Sequence, residues 1–344
     1  MMRAVLVGTG WGTTHAAAYH NCKEVKLVGI CGHRNVDRLN ALADEYQIPQ
    51  RSLNLDELLA KTEPDILDIA TNPHYRLEGV RAAMIASIKL INVEKPLALT
   101  PREAYEIERL CWENNKLLTV NHQTKYLPAW RKTRDTIAAG KIGDIEFIRA
   151  TCQGNLLEQG THLIDNVLYF NDYASVSWVM GQIDELQGLD KASAAAPDAA
   201  MATICFDNGV RAMMTFGSMG HNLGGETNKW HQYAVEVYGS RGHIRVTLNK
   251  TLSITTYTDG KNVVEPASWD NNHVQAETAH LDDAARYAKN PAVGHISNLA
   301  KSLISFQVIM AIYASGCGGG RIELPQRFDD QLMTRLHKRR CTIK

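Results

Sequence analysis

The stretch Val5-Leu6-Val7-Gly8-Thr9-Gly10-Trp11-Gly12 decides how the rest of the chain reads. A short apolar run ends in three closely spaced glycines, and the segment Thr14–Asn21 reads as a helix. Glycine at such a turn lets the backbone fold back tightly. It also lets a pyrophosphate approach the helix N-terminus, whose amides and dipole favour an anion. The spacing departs from GxGxxG: the third glycine would fall at Thr13, and Gly12 comes one residue early, as if the loop were one residue short. The glycines alone carry little weight. Their place after the first strand of a βαβ unit makes Gly8, Gly10, Trp11 and Gly12 candidates for holding a dinucleotide.

On either side of this turn, residues 3–122 alternate between strand and helix. Strands are expected at Ala4–Val7, Lys26–Cys31, Ile66–Ala70, Lys89–Val93 and Leu117–Asn121, each a nearly continuous apolar run of the kind buried on both faces of a parallel sheet. Helices are expected at Thr14–Asn21, Val36–Tyr46, Leu55–Ala60, Arg76–Ala86 and Pro101–Asn114. The last has Thr100 as N-cap, proline at its first position and Glu103 three residues after the cap. This alternation implies an α/β, doubly wound parallel sheet. After about residue 125 the pattern changes. Leu127–Ala138 reads as a helix closed by Gly140. Strands follow at 145–151, 200–206, 210–214, 234–238, 242–247 and 252–256, with Asp207-Asn208-Gly209 as a hairpin turn. With helices at 160–171 and 295–315 this is an α+β domain built on a large, mostly antiparallel open sheet. The boundary falls at 123/124, giving domains 1–123 and 124–344. Ala192–Ala196 reads as a surface loop.

Composition narrows the class. The chain has 344 residues, 44% of them hydrophobic, which is enough for two cores. With 37 basic and 37 acidic residues the formal net charge is zero, so no electrostatic argument favours nucleic acid or an anionic membrane. Lys338-Arg339-Arg340 reads as a solvated tail. The seven cysteines are scattered without a CxxC, which argues against a disulfide framework and against a zinc site; no metal is expected. The N-terminus enters a strand directly, the apolar runs fall short of a membrane span, and the cytoplasm is the expected location.

Two further patterns carry chemistry. The end of the second strand, Cys31-Gly32-His33-Arg34-Asn35, lacks the acid that would hold the ribose diol of NAD. His33, Arg34 and Arg38 stand there instead. Arginine can pair with a 2′-phosphate, so the reading leans to NADP with NAD open. Val93-Glu94-Lys95-Pro96-Leu97 ends a later strand at the carboxyl edge, where open α/β sheets hold ligands. His162 has Glu158 four residues before it and Asp165 three after. On a helix over 160–170, His162, Asp165 and Tyr169 share a face beside an apolar stripe of Leu163, Val167 and Phe170. An imidazole acting as a base needs such an orienting carboxylate.

Taken together, Val7–Gly10, Ile69-Ala70-Thr71-Asn72-Pro73, Val93–Leu97, the turn Ala139–Ile145 and Leu157-Glu158-Gln159-Gly160-Thr161-His162-Leu163-Ile164-Asp165 resemble the Gfo/Idh/MocA oxidoreductases over essentially the whole chain. The resemblance implies an N-terminal Rossmann domain and a C-terminal α/β domain whose open sheet forms oligomer contacts, in a homodimer or homotetramer. It implies Lys95 as the residue that hydrogen-bonds the reacting hydroxyl, reaching also the nicotinamide ribose, and His162 as acid/base. Glu158 stands where the family often has aspartate. Thr71, Asn72 and His74 would line the nicotinamide side, with Glu94 and Asn121 also at the cofactor. Arg76 stands where histidine is common in the family.

Aromatic and amide side chains suggest a polyol pocket: Gln123, Lys125, Tyr126 and Trp130, then His221, Asn222, Trp230 and His231, with 217–229 as a long loop. The expected activity is hydride transfer between NAD or NADP and a hydroxyl-bearing carbon of a sugar or cyclitol such as inositol. Lys95, His162 and Glu158 are the catalytic residues, and Lys95, Gln123, Tyr126, Glu158, His162 and Trp230 the substrate contacts. The alternative is a glycoside hydrolase that oxidises its sugar transiently, eliminates the substituent and returns the hydride.

Overall fold

The computed structural model describes residues 1–85, 87–184, 196–197 and 199–342. Contacts divide the chain into two compact units: Met1–Tyr126 with His273–Leu303, and Leu127–Asn272 with Ile304–Lys344. The sequence places one boundary, at 123/124; by contacts, residues 273–303 rejoin the N-terminal unit.

The first unit alternates as expected: β1 (Met2–Val7), α1 (Gly12–Asn21), β2 (Val25–Cys31), α2 (Val36–Glu45), β3 (Gln50–Ser52), α3 (Leu55–Thr62), β4 (Ile66–Ile69), α4 (Arg76–Ile85), β5 (Leu90–Glu94), α5 (Pro101–Glu113) and β6 (Leu117–Asn121). The sheet order is β3-β2-β1-β4-β5-β6, with every pair parallel. The order reverses between β1 and β4, so ligands are expected at the carboxyl ends of these strands. Strand β3, polar and three residues long, carries no periodic signal and is not expected from sequence. The Thr100 side chain caps α5 by accepting from the Glu103 amide at 3.2 Å.

The returning segment holds the longest helix of the protein's described residues, α8 (Trp269–Lys289), which sequence reading does not anticipate. Its buried face consists of Ala276, Glu277, His280, Leu281, Ala284, Ala285 and Ala288, too few large apolar side chains for a visible stripe. Leu281, Ala284, Ala285 and Ala288 pack in one core with Met2, Ala4 and Leu6 of β1, Ile30 of β2 and Ala16 and Ala18 of α1.

The second unit opens with α6 (Pro128–Ala138), β7 (Ile145–Cys152) and α7 (Gly160–Phe170). It continues through β8 (Val176–Asp184), β9 (Ala199–Phe206), β10 (Arg211–Gly217), β11 (Tyr233–Gly239), β12 (Gly242–Thr247), β13 (Thr251–Thr256) and β14 (Asn262–Pro266). After α9 (Leu299–Gly318) come β15 (Arg321–Glu323) and α10 (Gln331–Thr342). The described strands form one sheet in the order β14-β13-β12-β11-β7-β10-β9-β8-β15, antiparallel except for the β7–β10 pair. Asp207-Asn208-Gly209 makes the expected hairpin, with Gly209 at φ +90°. Helix α9 comes close to β8 where both lack side chains: a Cβ on Gly181 would lie 2.9 Å from Ile312, and one on Gly316 would lie 2.6 Å from Ile183.

Four expectations are corrected here. Helix α7 is buried nearly all round, including His162 and Asp165, so its pattern is that of a core helix and not of an amphipathic one. Helix α9 is long and apolar enough to cross a membrane by length and composition, against the expectation that no run is; 67% of its apolar window is buried, as in a core helix. The basic C-terminal run belongs to α10 and is helical. Of the alanine-rich patch, residues 192–195 lie outside the described residues, and Ala196 is buried rather than on a surface loop.

Candidate active site

The glycine turn is built as the motif requires. Gly8 sits at φ +112°, and a Cβ there would meet the Ala70 carbonyl oxygen at 2.5 Å and Thr71 Cγ2 at 3.4 Å. Only glycine lets the loop after β1 lie against the end of β4. Around a Cβ on Gly10 there is nothing within 4 Å, so the backbone there is open to a ligand. Gly12 begins α1, and a Cβ there would meet Leu6 at 3.6 Å, an ordinary contact, so packing does not demand glycine at this position. The buried Thr71 hydroxyl at the end of β4 has no hydrogen-bond partner. An open backbone cradle at a helix N-terminus beside an unsatisfied hydroxyl fits a dinucleotide. The exposed His33, Arg34 and Arg38 follow β2. The Arg38 guanidinium lies 3.5 Å from the Gly10 carbonyl, and His33 lies against Tyr75 with ring centroids 5.6 Å apart. Asn72 accepts from the His74 amide at 3.1 Å, ordering the loop after β4.

Lys95 follows β5, half-buried, across a cis peptide bond to Pro96. Its ammonium lies 5.9 Å from the centroid of the exposed Trp11 ring. Arg76, at the start of α4, is 1% exposed. It donates to the Pro96 carbonyl and, at 3.2 Å, to the Thr71 carbonyl.

Glu94 and Asn121 are expected at the cofactor, but the structure draws both into a buried cluster beneath the sheet edge. His15 donates to Asp68 (2.8 Å) and to Glu94 (3.0 Å). The Asn121 amide donates to Glu94 at 2.7 Å and to Glu277 of α8 at 2.8 Å. Asp68 also accepts from Asn92 at 2.9 Å, and Asn92 in turn bonds Thr119 (2.8 Å) and His280 (2.9 Å). Burial alone would lower the His15 imidazole, but Asp68 and Glu277 outweigh it and raise it well above its ordinary value. Burial would raise Glu94, but His15, Lys95 and Asn121 bring its carboxyl down to about 2. Glu277 goes the other way: burial, with Glu94 and Asp68 nearby, lifts it to about 7. Carboxylates crowded around one imidazole out of water disfavour a further negative charge, and Glu277 is the one raised by it. None of His15, Asp68 and Glu277 stands out as a site residue in the sequence. Asp68 did leave a sign, as a charge inside the apolar run Ile66-Leu67-Asp68-Ile69.

In the second unit, Gln159 precedes α7 and ties three segments together. Its Oε1 accepts from the Gly154 amide at 3.0 Å, and its Nε2 donates to the Trp230 carbonyl at 2.5 Å. Trp230 is 43% exposed and carries the Lys229 ammonium 4.6 Å from its ring centroid. Gln159 thus joins the turn before α7 to the segment that carries Trp230. Helix α7 starts at Gly160, so Glu158 lies on the preceding turn, held by its amide to Asn155 Oδ1 at 2.8 Å. Asp165 accepts from Tyr173 and Ser305, each at 3.1 Å. Loop 217–229 is closed by Gln232, which reaches Leu223, Asn222 and Glu226. His231 joins Asn249 at 3.1 Å, while His221 and Asn222 are exposed.

The other expected pocket residues divide. Gln123 is buried with its amide oxygen unpartnered. Tyr126 is buried in the first unit, its hydroxyl donating to Asp283 at 2.7 Å, so its polar end is engaged internally and not presented to a substrate. Lys125 is likewise engaged, with the Ile296 carbonyl at 2.8 Å. Trp130 is a core residue, fully buried and stacked on Phe170 at 5.6 Å.

Such a fold and cradle define an NAD-binding oxidoreductase. Residues 2–122 match the Gfo/Idh/MocA oxidoreductase family, NAD-binding Rossmann fold, and residues 146–324 match that family's C-terminal alpha/beta domain; the chain belongs to this family. An uncharacterized oxidoreductase of Synechocystis sp. is 25% identical over 149 residues, 43% of this chain and 40% of that protein, so the match spans less than half of that relative. A D-xylose dehydrogenase of Paenarthrobacter nicotinovorans is 31% identical over 126 residues, covering 37% of this chain and 32% of that one. A 1,5-anhydro-D-fructose reductase of Ensifer adhaerens is 32% identical over 109 residues, 32% of each chain. Among solved structures, a levoglucosan dehydrogenase in complex with NADH and levoglucosan superimposes with TM-score 0.79 at 19% identity, over 94% of this chain and 100% of that one. An Agrobacterium radiobacter oxidoreductase in complex with NAD+, L-tartaric acid and magnesium gives 0.80 at 19% identity, over 94% and 98%.

Proposed function

We propose that this protein is an NAD(P)-dependent dehydrogenase of a sugar or cyclitol, or the reverse reductase, acting at a hydroxyl-bearing carbon. The observation that carries the reading is the position of Lys95, at the carboxyl edge of β5 beside Trp11 and on the side of the sheet that holds the glycine cradle. The nicotinamide supplies the hydride chemistry when bound. Gly8, Gly10, Trp11 and Gly12 hold the pyrophosphate side, and Thr71, Asn72 and His74 the nicotinamide side. Lys95 donates to the reacting hydroxyl and offsets charge that develops on its oxygen. His162 takes the hydroxyl proton in oxidation and returns it in reduction. Glu158 orients His162 or grips a neighbouring hydroxyl, Gln123 offers its amide oxygen, and Trp230 presents a ring face to sugar C–H surfaces. Exposed His33, Arg34 and Arg38, with no acid at the end of β2, favour the 2′-phosphate of NADP. The relatives named for D-xylose and 1,5-anhydro-D-fructose support a carbohydrate substrate.

The test follows the near-ultraviolet absorbance of reduced nicotinamide, with NAD⁺ and NADP⁺ separately, against aldoses, inositols and aryl glycosides. A rising signal, larger with NADP⁺, is expected. Glycoside cleavage with no net reduction would replace this reading by the redox-recycling hydrolase. With the substrate so found, Lys95→Ala and His162→Ala are each expected to bind cofactor and lose about a hundredfold or more in kcat. Full turnover in either variant removes that residue from the mechanism.

A further inference from the structure

Arg76 is among the largest fully buried side chains of the protein, yet it makes no close ion pair. Its two hydrogen bonds go to backbone carbonyls, Pro96 O through Nη1 and Thr71 O through Nη2 at 3.2 Å, while Nε has no hydrogen-bond partner. Glu94 and Glu103 act on this charge only through space, and burying a guanidinium whose hydrogen bonds go to carbonyls is costly; an apolar residue would fill the space at less expense. The two carbonyls show what the charge is for. Strands β4 and β5 are neighbours, and their ladder ends at Ile69 opposite Val93. Thr71 and Pro96 lie just beyond that end, where no ladder bonds remain to hold the chains together. The guanidinium spans the gap as a planar fork, a geometry that a lysine ammonium does not reproduce. One arm holds the residue that follows Lys95. The other holds Thr71, whose methyl lies beside Gly8.

We infer that Arg76 is a positioning residue that clasps the two strand-end loops and so fixes Lys95 against the dinucleotide cradle. The inference rests on the role proposed for Lys95. Leu97 and Ala98, which follow the clasp, are buried, so the loop it holds is packed against the unit's interior. Arginine here replaces the histidine that the family resemblance leads one to expect, and an imidazole is too short and too poor in donors to bridge two carbonyls.

The test measures the pH profile of Lys95 acetylation by limiting acetic anhydride, read by mass spectrometry on the full chain. It compares the original protein with Arg76→Met and Arg76→Lys, using exposed Lys26 of β2 as internal reference. The plateau at high pH reports access to the amine, independent of its charge. Releasing the clasp is expected to raise the Lys95 plateau about threefold or more in Arg76→Met, and less in Arg76→Lys, with Lys26 unchanged. An unchanged Lys95 plateau in either folded variant overturns the inference. Equal acceleration of Lys95 and Lys26 overturns it as well, because Arg76 would then support the whole unit and not this loop. If Arg76→Met does not fold, Arg76→Lys decides by the same criterion. Failure of the catalytic reading is separate: it would show as full turnover in Lys95→Ala, which this labelling does not measure.

Discussion

Gly8 carries two demands at once, a positive φ and a backbone approach that leaves no room for a Cβ beside Ala70. Gly8→Ala is therefore expected to destabilise the protein by about 2 kcal/mol or more and to abolish cofactor binding, because the turn cannot relax without moving the end of β4. Thermal unfolding and a fluorescence titration with NADPH check both parts; a variant that retains both would show that the turn tolerates a side chain. Gly8 is legible from the motif alone. Gly12 differs, since a Cβ there would meet Leu6 at no less than ordinary contact distance. Glu94 and Asn121 mislead in the opposite direction. Both sit where strand ends meet ligands, yet inward-pointing side chains at those positions join His15 and Glu277.

At the scale of elements, α8 is the unexpected one, and its polar buried face makes a pH-dependent contribution. The folded protein holds the Glu277 carboxyl at about 7, above its usual value near 4.5. Protonation of this raised group favours the folded state. Its contribution is fully present below the ordinary carboxylate range and is lost as pH rises through about 7. Glu277→Gln keeps an acceptor for Asn121 and removes the titration. Urea unfolding at acid and at slightly alkaline pH is expected to show the original protein losing about 2–3 kcal/mol more than the variant over that interval. Parallel losses in the two proteins would mean that Glu277 ionises normally. The same helix explains why sequence patterning fell short here: alanines against α1 and β1 bury well without a wide apolar stripe, and Glu277 and His280 interrupt what stripe there is.

At the scale of the whole molecule, the nine-stranded sheet leaves one face outward. Across it, Met180 pairs in register with Thr203 and Thr203 with Met213, followed by Arg149, Glu236 and Arg245. Met180 is 48% exposed and Met213 50%. Exposed methionines beside a salt-bridged polar row suit contact with another subunit. We propose that this face makes a homodimer or homotetramer. Sedimentation is expected to show an oligomer that Met213→Glu shifts toward monomer; a monomeric original protein, or an unaffected variant, would dismiss the interface.

The doubly wound sheet, the glycine cradle, the change to an antiparallel sheet and the family are all written in the amino-acid sequence. Those signals are local: continuous apolar runs, turn residues and short motifs each report the conformation of their own few residues. The return of residues 273–303 to the first unit, the core place of Trp130, the internal engagement of Tyr126 and Lys125 and the joining of two strand ends by Arg76 emerge only in three dimensions. Each of these depends on a partner far away in sequence, such as Asn121 on Glu277 or Arg76 on Pro96. Periodicity shows which residues turn inward; it does not show which inward-facing polar group will meet another.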